Sequence, residues 1–337
     1  MVFSATCNAY QAPLSSRPPD LLDDLSKTKL KYKRENAAAA GITASFRSCR
    51  PDLLAGGGKV VQMYEIVKSE KLTPDVIKLE IKAPHIARKA KAGQFIMVTP
   101  SEHGERIPLT MADFSPEKGT VTIAALEVGK TTKQLGKMKA GDSVFSLVGP
   151  LGLPTELHKY GNVVSIGGGI GLALMYPVVR AFRQAGNHTI NIIGAKNEKL
   201  LIYENDIKSV SDEFFVCTDD GSKGHHGFVS DVLKKLIAEN KKIDVVYAVG
   251  PIIMMKVIAN ITKPHNIHTV VSLNPIMVDG TGMCGSCRVI IDGKTKFGCV
   301  DGPEFDGHKV DFENLTARNK RYIPEEQLAM KRFTEAK

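Results

Sequence analysis

Between Asp279 and Cys299 the chain reads DGTGMCGSCRVIIDGKTKFGC, and no other stretch restricts the fold so tightly. Three of the six cysteines, Cys284, Cys287 and Cys299, lie here among Gly280, Gly282, Gly285, Gly293 and Gly298. Thiolates brought close together repel one another, so a loop that gathers them needs a metal or a disulfide. The glycines let such a loop turn sharply enough to do the gathering.

The spacing is D-x4-C-x2-C-x11-C. Plant-type [2Fe-2S] loops use C-x4-C-x2-C with a distant fourth cysteine, because a glycine-rich turn points three sulfurs and several backbone N–H groups at one centre. Asp279 stands where the first of those cysteines would be. Its carboxylate matches a thiolate in charge but is a harder donor. The candidate metal ligands are therefore Asp279, Cys284, Cys287 and Cys299. Three other readings stay open at this point. Structural zinc ordinarily uses two paired knuckles, where one is present. A disulfide leaves one sulfur over. In a third reading a cluster forms, but Asp279 only shapes an Asp-Gly turn.

The run NPIMVDGTGMCGSCRV, followed by FGCVDGPEFDGHKVDF, resembles the small, flavin-bearing subunits of NADH-dependent reduced ferredoxin:NADP oxidoreductases, also called sulfide dehydrogenase small subunits, of the ferredoxin-NADP reductase superfamily. The resemblance runs from about Val60 to the C-terminus. Related subunits that serve dihydroorotate dehydrogenase resemble the same stretch but carry Cys where this chain has Asp279. The resemblance implies FAD, a [2Fe-2S] cluster and a nicotinamide nucleotide; NADH is expected over NADPH because Lys196-Asn197-Glu198-Lys199 lacks a clear Ser and Arg pair for a 2′-phosphate and Asp219-Asp220 would repel one. It also implies a larger partner subunit, like the glutamate synthase small subunit, that carries another FAD and more iron-sulfur clusters, with ferredoxin reached indirectly. The implied function is electron transfer between NADH, FAD and the cluster, with or without bifurcation. The alternatives are the electron-transfer subunit of a dihydroorotate dehydrogenase, a free-standing ferredoxin-NAD(P) reductase-type enzyme, and a non-enzymatic zinc-stabilised module.

The expected architecture is an antiparallel β-barrel flavin domain, an α/β parallel-sheet nucleotide-binding domain and a small iron-sulfur module near the C-terminus. The boundaries read as a leader over 1–58, the barrel over 59–153, the nucleotide-binding domain over 154–272, the iron-sulfur module over 273–314 and a tail helix over 315–337. The leader is Ser-, Ala- and Pro-rich with a basic run KTKLKYKR, and it closes on three glycines. It reads as disordered, and Cys7 and Cys49 within it receive no role. The reading places the protein in the cytoplasm, or in an organelle matrix if the leader is a targeting segment.

From Val60 short alternating segments separated by Gly and Pro argue for the barrel. Between two of them lies RIPLT. In the superfamily resembled, such a segment binds flavin: Arg106 offers a forked cation to the pyrophosphate, Pro108 and Leu109 line the ring, and Thr110 presents a hydroxyl or N–H near the flavin atom that receives hydride. Thr110 is thus the catalytic candidate. Gly129, Thr131 and Thr132 open a short helix whose amides and hydroxyls suit a phosphate.

NVVSIGGGIGLALMYPVVRAFRQAG reads as strand, glycine turn and helix, with Gly167, Gly168, Gly169 and Gly171 letting a pyrophosphate approach the helix N-terminus. The spacing is G-x-G-x-G-x-A, and no acidic residue ends the next strand, HTINIIGA, which departs from the ordinary dehydrogenase fingerprint. Strands EFFVCTDD and IDVVYAVG end in Asp219-Asp220-Gly221 and in Gly250-Pro251 with Met254 beyond. Both loops are candidates to touch nicotinamide nucleotide. Cys217, inside an apolar strand, reads as a core residue.

A net charge of +9 is compatible with an acidic protein partner or dinucleotide phosphates. With Trp absent and no alternation of basic and aromatic residues, nucleic acid is not expected. No apolar run reaches the roughly 20 residues of a membrane span.

Overall fold

The computed structural model describes residues 63–335, so the leader expected over 1–58, with Cys7 and Cys49, lies outside the described residues. The first sheet has seven strands: β1 (Tyr64–Thr73), β2 (Val76–Lys82), β3 (Phe95–Thr99), β4 (Ile107–Ser115), β5 (Thr120–Leu126), β6 (Ser143–Val144) and β7 (Ser146–Leu151). Their order is β6-β1-β2-β5-β4-β3-β7, with every pairing antiparallel. The two outer strands follow one another directly in the chain, separated by Phe145 alone, so the sheet curls back on itself as a barrel. Alternate residues such as Ile77, Leu79 and Ile81 of β2 point inward and meet Ile96, Val98, Leu109 and Ile123 in one core. Two short helices, α1 (Pro84–Ala87) and α2 (Lys130–Leu135), close its ends.

The second sheet is parallel through β8 (Asn162–Gly168), β9 (His188–Ala195), β10 (Glu213–Thr218), β11 (His225–His226), β12 (Val245–Val249) and β13 (His268–Ser272). Helices α3 (Gly171–Gln184), α4 (Glu204–Ser209), α5 (Val229–Ala238) and α6 (Ile252–Thr262) make the crossovers. Val164, Ile166 and Ile192 face Leu233, Met255 and Ile258 on one side, and Val163, Ile193 and Tyr247 face Met175, Val179 and Phe182 of α3 on the other. Burial on both faces is what makes these strands read as continuous apolar runs.

After β13 come a hairpin of β14 (Arg288–Ile291) and β15 (Lys294–Phe297), then β16 (Glu304–Asp306), α7 (Phe312–Asn319) and α8 (Ile323–Glu335). β16 pairs antiparallel with β13 and extends the parallel sheet by one strand. The span 315–337, expected as one tail helix, holds the end of α7 and then α8; α8 lies against α2, and Lys137 sits over the Phe333 ring at 4.4 Å. No described helix is long and apolar enough to cross a membrane.

Glu304 joins three parts of this structure. Its Oε1 accepts from the Thr155 hydroxyl at 2.7 Å and from the Tyr247 hydroxyl at 2.9 Å. Burial pushes its carboxyl up from 4.5 to about 7, although the two hydroxyls pull the other way. The native state therefore prefers the neutral carboxyl. That contribution to stability is complete below the unfolded pKa and is lost as pH rises through the folded one. Glu304→Gln should gain on the wild type between about pH 5 and 8, by up to about 3 kcal/mol in denaturant titrations. Parallel stability curves for the two proteins would show that Glu304 does not titrate as described.

Candidate functional site

The cysteine loop owes its shape to a hairpin. Eleven residues separate Cys287 from Cys299, and eight of them are paired in β14 and β15 across a turn with Asp292 at φ 52° and Gly293 at φ 69°. Two successive left-handed residues are the turn that matches the twist of paired strands. The hairpin returns the chain to its start, where Gly298 N–H donates to Cys287 O at 3.0 Å and the Cys287 and Cys299 sulfurs lie 3.2 Å apart. That is well beyond a disulfide bond of about 2.05 Å, and all four described cysteines are free.

Backbone N–H groups surround the sulfurs. Burial opposes ionisation of Cys284, but the Ser286 N–H and hydroxyl and the N–H groups of Asp279 and Val278 outweigh it and lower the thiol pKa. Cys299 is pushed up to about 12 by burial and by its hydrogen bond to Cys287, against one donor, the Gly282 N–H. Asp279 is turned toward its own loop: its Oδ2 accepts from Thr281 N–H at 2.9 Å and from the Thr281 hydroxyl. Those bonds lower its pKa, so the carboxylate is ionised. Among the described residues, no three His, Cys, Asp or Glu side chains close round a common point. The donors are three sulfurs, two of them reached by backbone N–H groups, and one carboxylate, and this set suits an iron-sulfur cluster.

The loop is docked on the barrel. Cys287 and Cys299 pack with Phe95 and Met97 of β3 and with Met277 in a small core of their own. Gly280, at φ 86°, makes this possible, because a Cβ there would lie 2.8 Å from Met97 Cγ and 3.1 Å from Leu151 Cδ1. Strand β3 is flanked by β7 on one edge and by β4 on the other, in the register Phe95 to Thr110 and Met97 to Pro108. The strand that packs on the buried sulfurs is therefore paired directly with RIPLT. Arg106 adds a direct tie, its Nη2 donating to Asp279 O at 2.8 Å. Its Nε is buried without a partner, which leaves a cationic donor for an anion.

Beside this lies a cleft of about 830 Å³, within the range of small-molecule and cofactor sites. It brings together Pro108, Leu109, Thr110, Gly168, Gly169, Gly171, Asp219, Gly250, Pro251 and Met254 from the sequence-expected set. It opens where the strand order reverses between β8 and β12, beyond their carboxyl ends. Gly169, at φ 58°, would meet no atom within 4 Å if it carried a Cβ, whereas a Cβ on Gly171 would lie 2.5 Å from Val249 O. The first keeps the turn open, and the second lets α3 start against β12.

Other expected residues lie elsewhere. Arg106, Gly129, Thr131, Thr132, Gly167, Asp220 and Gly221 do not line the cleft. The Thr131 hydroxyl donates to Glu105, and Thr132 caps its own helix by accepting from Gly129 N–H at 3.1 Å. Their hydroxyls are already committed inside the protein. Asp220 binds Ser222 through its N–H at 2.9 Å and its hydroxyl at 2.6 Å. A Cβ on Gly167 would lie 2.7 Å from Met175 Sδ, so that glycine serves strand-to-helix packing.

Residues 274–311 match the iron-sulfur cluster binding domain of dihydroorotate dehydrogenase B. The Thermotoga maritima homologue of the dihydroorotate dehydrogenase B (NAD(+)) electron transfer subunit is 46% identical over 271 residues, covering 80% of this chain and 95% of its own. The chain belongs to the dihydroorotate dehydrogenase B electron transfer subunit family. A solved chain from work on flavin-based electron bifurcation by NADH-dependent reduced ferredoxin-NADP oxidoreductase is 44% identical. It superposes with a TM-score of 0.77, covering 83% of this chain and all of its own length. The ferredoxin reductase of carbazole 1,9a-dioxygenase, 20% identical with a TM-score of 0.52 over 61% of this chain and 65% of its own, shares the fold.

In this member of the electron transfer subunit family the cleft has walls that local motifs did not reveal. Phe95 and the Asn274–Met277 segment line it and lead straight into the cysteine loop. Lys196 stands in the lining with Asp219, which puts a cation near the acidic loop. Cys217 is 1% exposed, its thiol pushed up to about 12 by burial, as a core residue requires. Replacing Gly280 by Ala combines a left-handed φ with overpacking on Met97. It should cost about 2–3 kcal/mol, read by equilibrium denaturation; an unchanged midpoint would mean the loop is not docked through Gly280.

Proposed function

We propose that this chain passes electrons between NADH, FAD and a [2Fe-2S] cluster as one subunit of a heterodimeric NADH/ferredoxin:NADP oxidoreductase. The observation that supports it best is the shared position of β3: Phe95 lines the cleft beside Thr110 and also packs against Cys287 and Cys299. When bound, a flavin exchanges electron pairs with a nicotinamide and single electrons with a cluster. The roles of the chain's own residues follow from their surroundings. Pro108, Leu109 and Thr110 form the flavin side of the cleft, and Arg106, with its unpartnered Nε, supplies positive charge to the pyrophosphate. Gly168, Gly169 and Gly171 bare backbone at the N-terminus of α3 for nicotinamide nucleotide phosphates, and Gly250, Pro251 and Met254 lie directly beside them in the cleft lining. Cys284, Cys287 and Cys299 hold the cluster, with Asp279 as its fourth ligand once the carboxylate turns from Thr281. The apolar residues of the cleft exclude water from the exchange.

The partner is a larger subunit bearing its own flavin and iron-sulfur clusters. A second reading, the electron transfer subunit of a dihydroorotate dehydrogenase, draws on the family match over 274–311. Asp279 and the 44% identity to the bifurcation-related chain favour the first.

Protein prepared without oxygen should show flavin bands and a broad cluster band that bleach on adding NADH. Asp279→Cys should keep a [2Fe-2S] centre at an altered potential, and Cys287→Ser should lose it. A colourless or zinc-loaded protein would end this reading. An unchanged paramagnetic spectrum and potential in Asp279→Ala would remove the carboxylate from the ligand set.

A further inference from the structure

On the outer side of the cysteine loop is a second cavity, of about 210 Å³, into which Cys284, Gly285 and Ser286 open. Its other wall carries Arg288, Arg318 and Arg321, with Tyr322 and Asn319 beside them, and no carboxylate lines it. The three guanidinium groups come from two separate elements. Arg288 begins β14, and its Nη1 lies 3.1 Å from where a Cβ on residue 285 would be. Arg318 lies in the last turn of α7, and its Nη2 donates to Ser286 O at 3.0 Å. Arg321 follows just beyond. Burial first, then the charges of Arg321 and Arg288, lowers the pKa of Arg318, so these cations crowd one another. Like charges gathered at one cavity without counter-charge are costly unless something anionic faces them.

The candidate ligands supply that charge. Three thiolates and a carboxylate carry four negative charges, of which an oxidised [2Fe-2S] core would offset two, and each electron it took up would add another without a proton. We infer that Arg288, Arg318 and Arg321 are the electrostatic counterweight of the iron-sulfur cluster, holding its reduction potential up. The inference rests on the cluster reading above. Charge and hydrogen bonding around the sulfurs are among the levers that set such potentials. These are positioning residues: Arg318 also anchors the loop through Ser286 O, whereas Arg288 and Arg321 act through charge.

The test is a dithionite redox titration of the full chain followed by paramagnetic resonance, with visible circular dichroism to verify an intact cluster. Arg288→Gln and Arg321→Gln should each move the midpoint to lower potential. The double variant should move it further, and added salt should shrink the shifts. Arg321→Lys, which keeps the charge, should stay near wild type; a shift there equal to that of Arg321→Gln would point to shape and overturn the inference. Unmoved midpoints with an intact cluster would overturn it too. So would unmoved midpoints in variants that lose a phosphate-dependent gain in thermal stability seen in the wild type, since the arginines would then serve an external anion. Wild-type protein that binds no iron would instead bring down the cluster reading itself, before any variant is compared.

Discussion

Cys287 and Cys299 press against Phe95 and Met97, and that contact makes one device of two neighbouring sites. The sulfurs are 1% and 2% exposed, so their positions follow the barrel strand beneath them. A cysteine loop resting on solvent could hold a metal anywhere within reach of its turns. One packed on β3 is fixed relative to β4, because those strands share four registered pairs. Close packing in a core passes a shift of one residue on to its neighbours. The distance from Thr110 to the buried sulfurs is therefore set by sheet geometry, and the glycine at 280 is the condition for it.

The nucleotide side is positioned by a different constraint. β8 feeds β9 and β10 on one side, and the chain then crosses to β12 and β13 on the other. The gap this leaves above β8 and β12 is lined by Gly168, Gly169, Gly250 and Pro251, and a Cβ on Gly168 would come within 2.8 Å of Met254 Sδ. Backbone fills the gap because side chains would. From β13 the chain runs through Asn274–Met277, along the wall of the cleft, into the cysteine loop. Glu304 on β16 then returns to bind Tyr247 of β12 and Thr155. Barrel, sheet and loop are thus locked together beside the cleft.

Much of this was legible in local sequence. The alternation in VIKLEIK, and the buried runs NVVSI and VVYAV, are the strands they resemble, because burial on one face or on two leaves that pattern. The glycine turn after β8 lies in the cleft, as strand-turn-helix chemistry requires. Asp292-Gly293 inside RVIIDGKTKF is an equally plain hairpin signal, and it explains the eleven-residue spacing that was read only as distance between ligands. The tetrapeptide Gly129-Lys130-Thr131-Thr132 carried a phosphate-loop signal that the structure places outside the cleft. Its threonines answer to Glu105 and to their own helix end, partners a local reading does not see. Phe95 and Met97 were hidden for the same reason: in sequence they are ordinary strand residues, and only tertiary packing and pairing bring Cys287 and Pro108 to the same strand.

The four candidate ligands are not held alike, and the difference has a consequence. Cys287 and Cys299 sit in an apolar core, whereas Cys284 is exposed and Asp279 is held by Thr281 and, through its carbonyl, by Arg106. Burial and the bond to Cys287 raise the Cys299 thiol to about 12, while N–H donors lower that of Cys284. This leaves the fixed half of the site against the strand that borders the cleft.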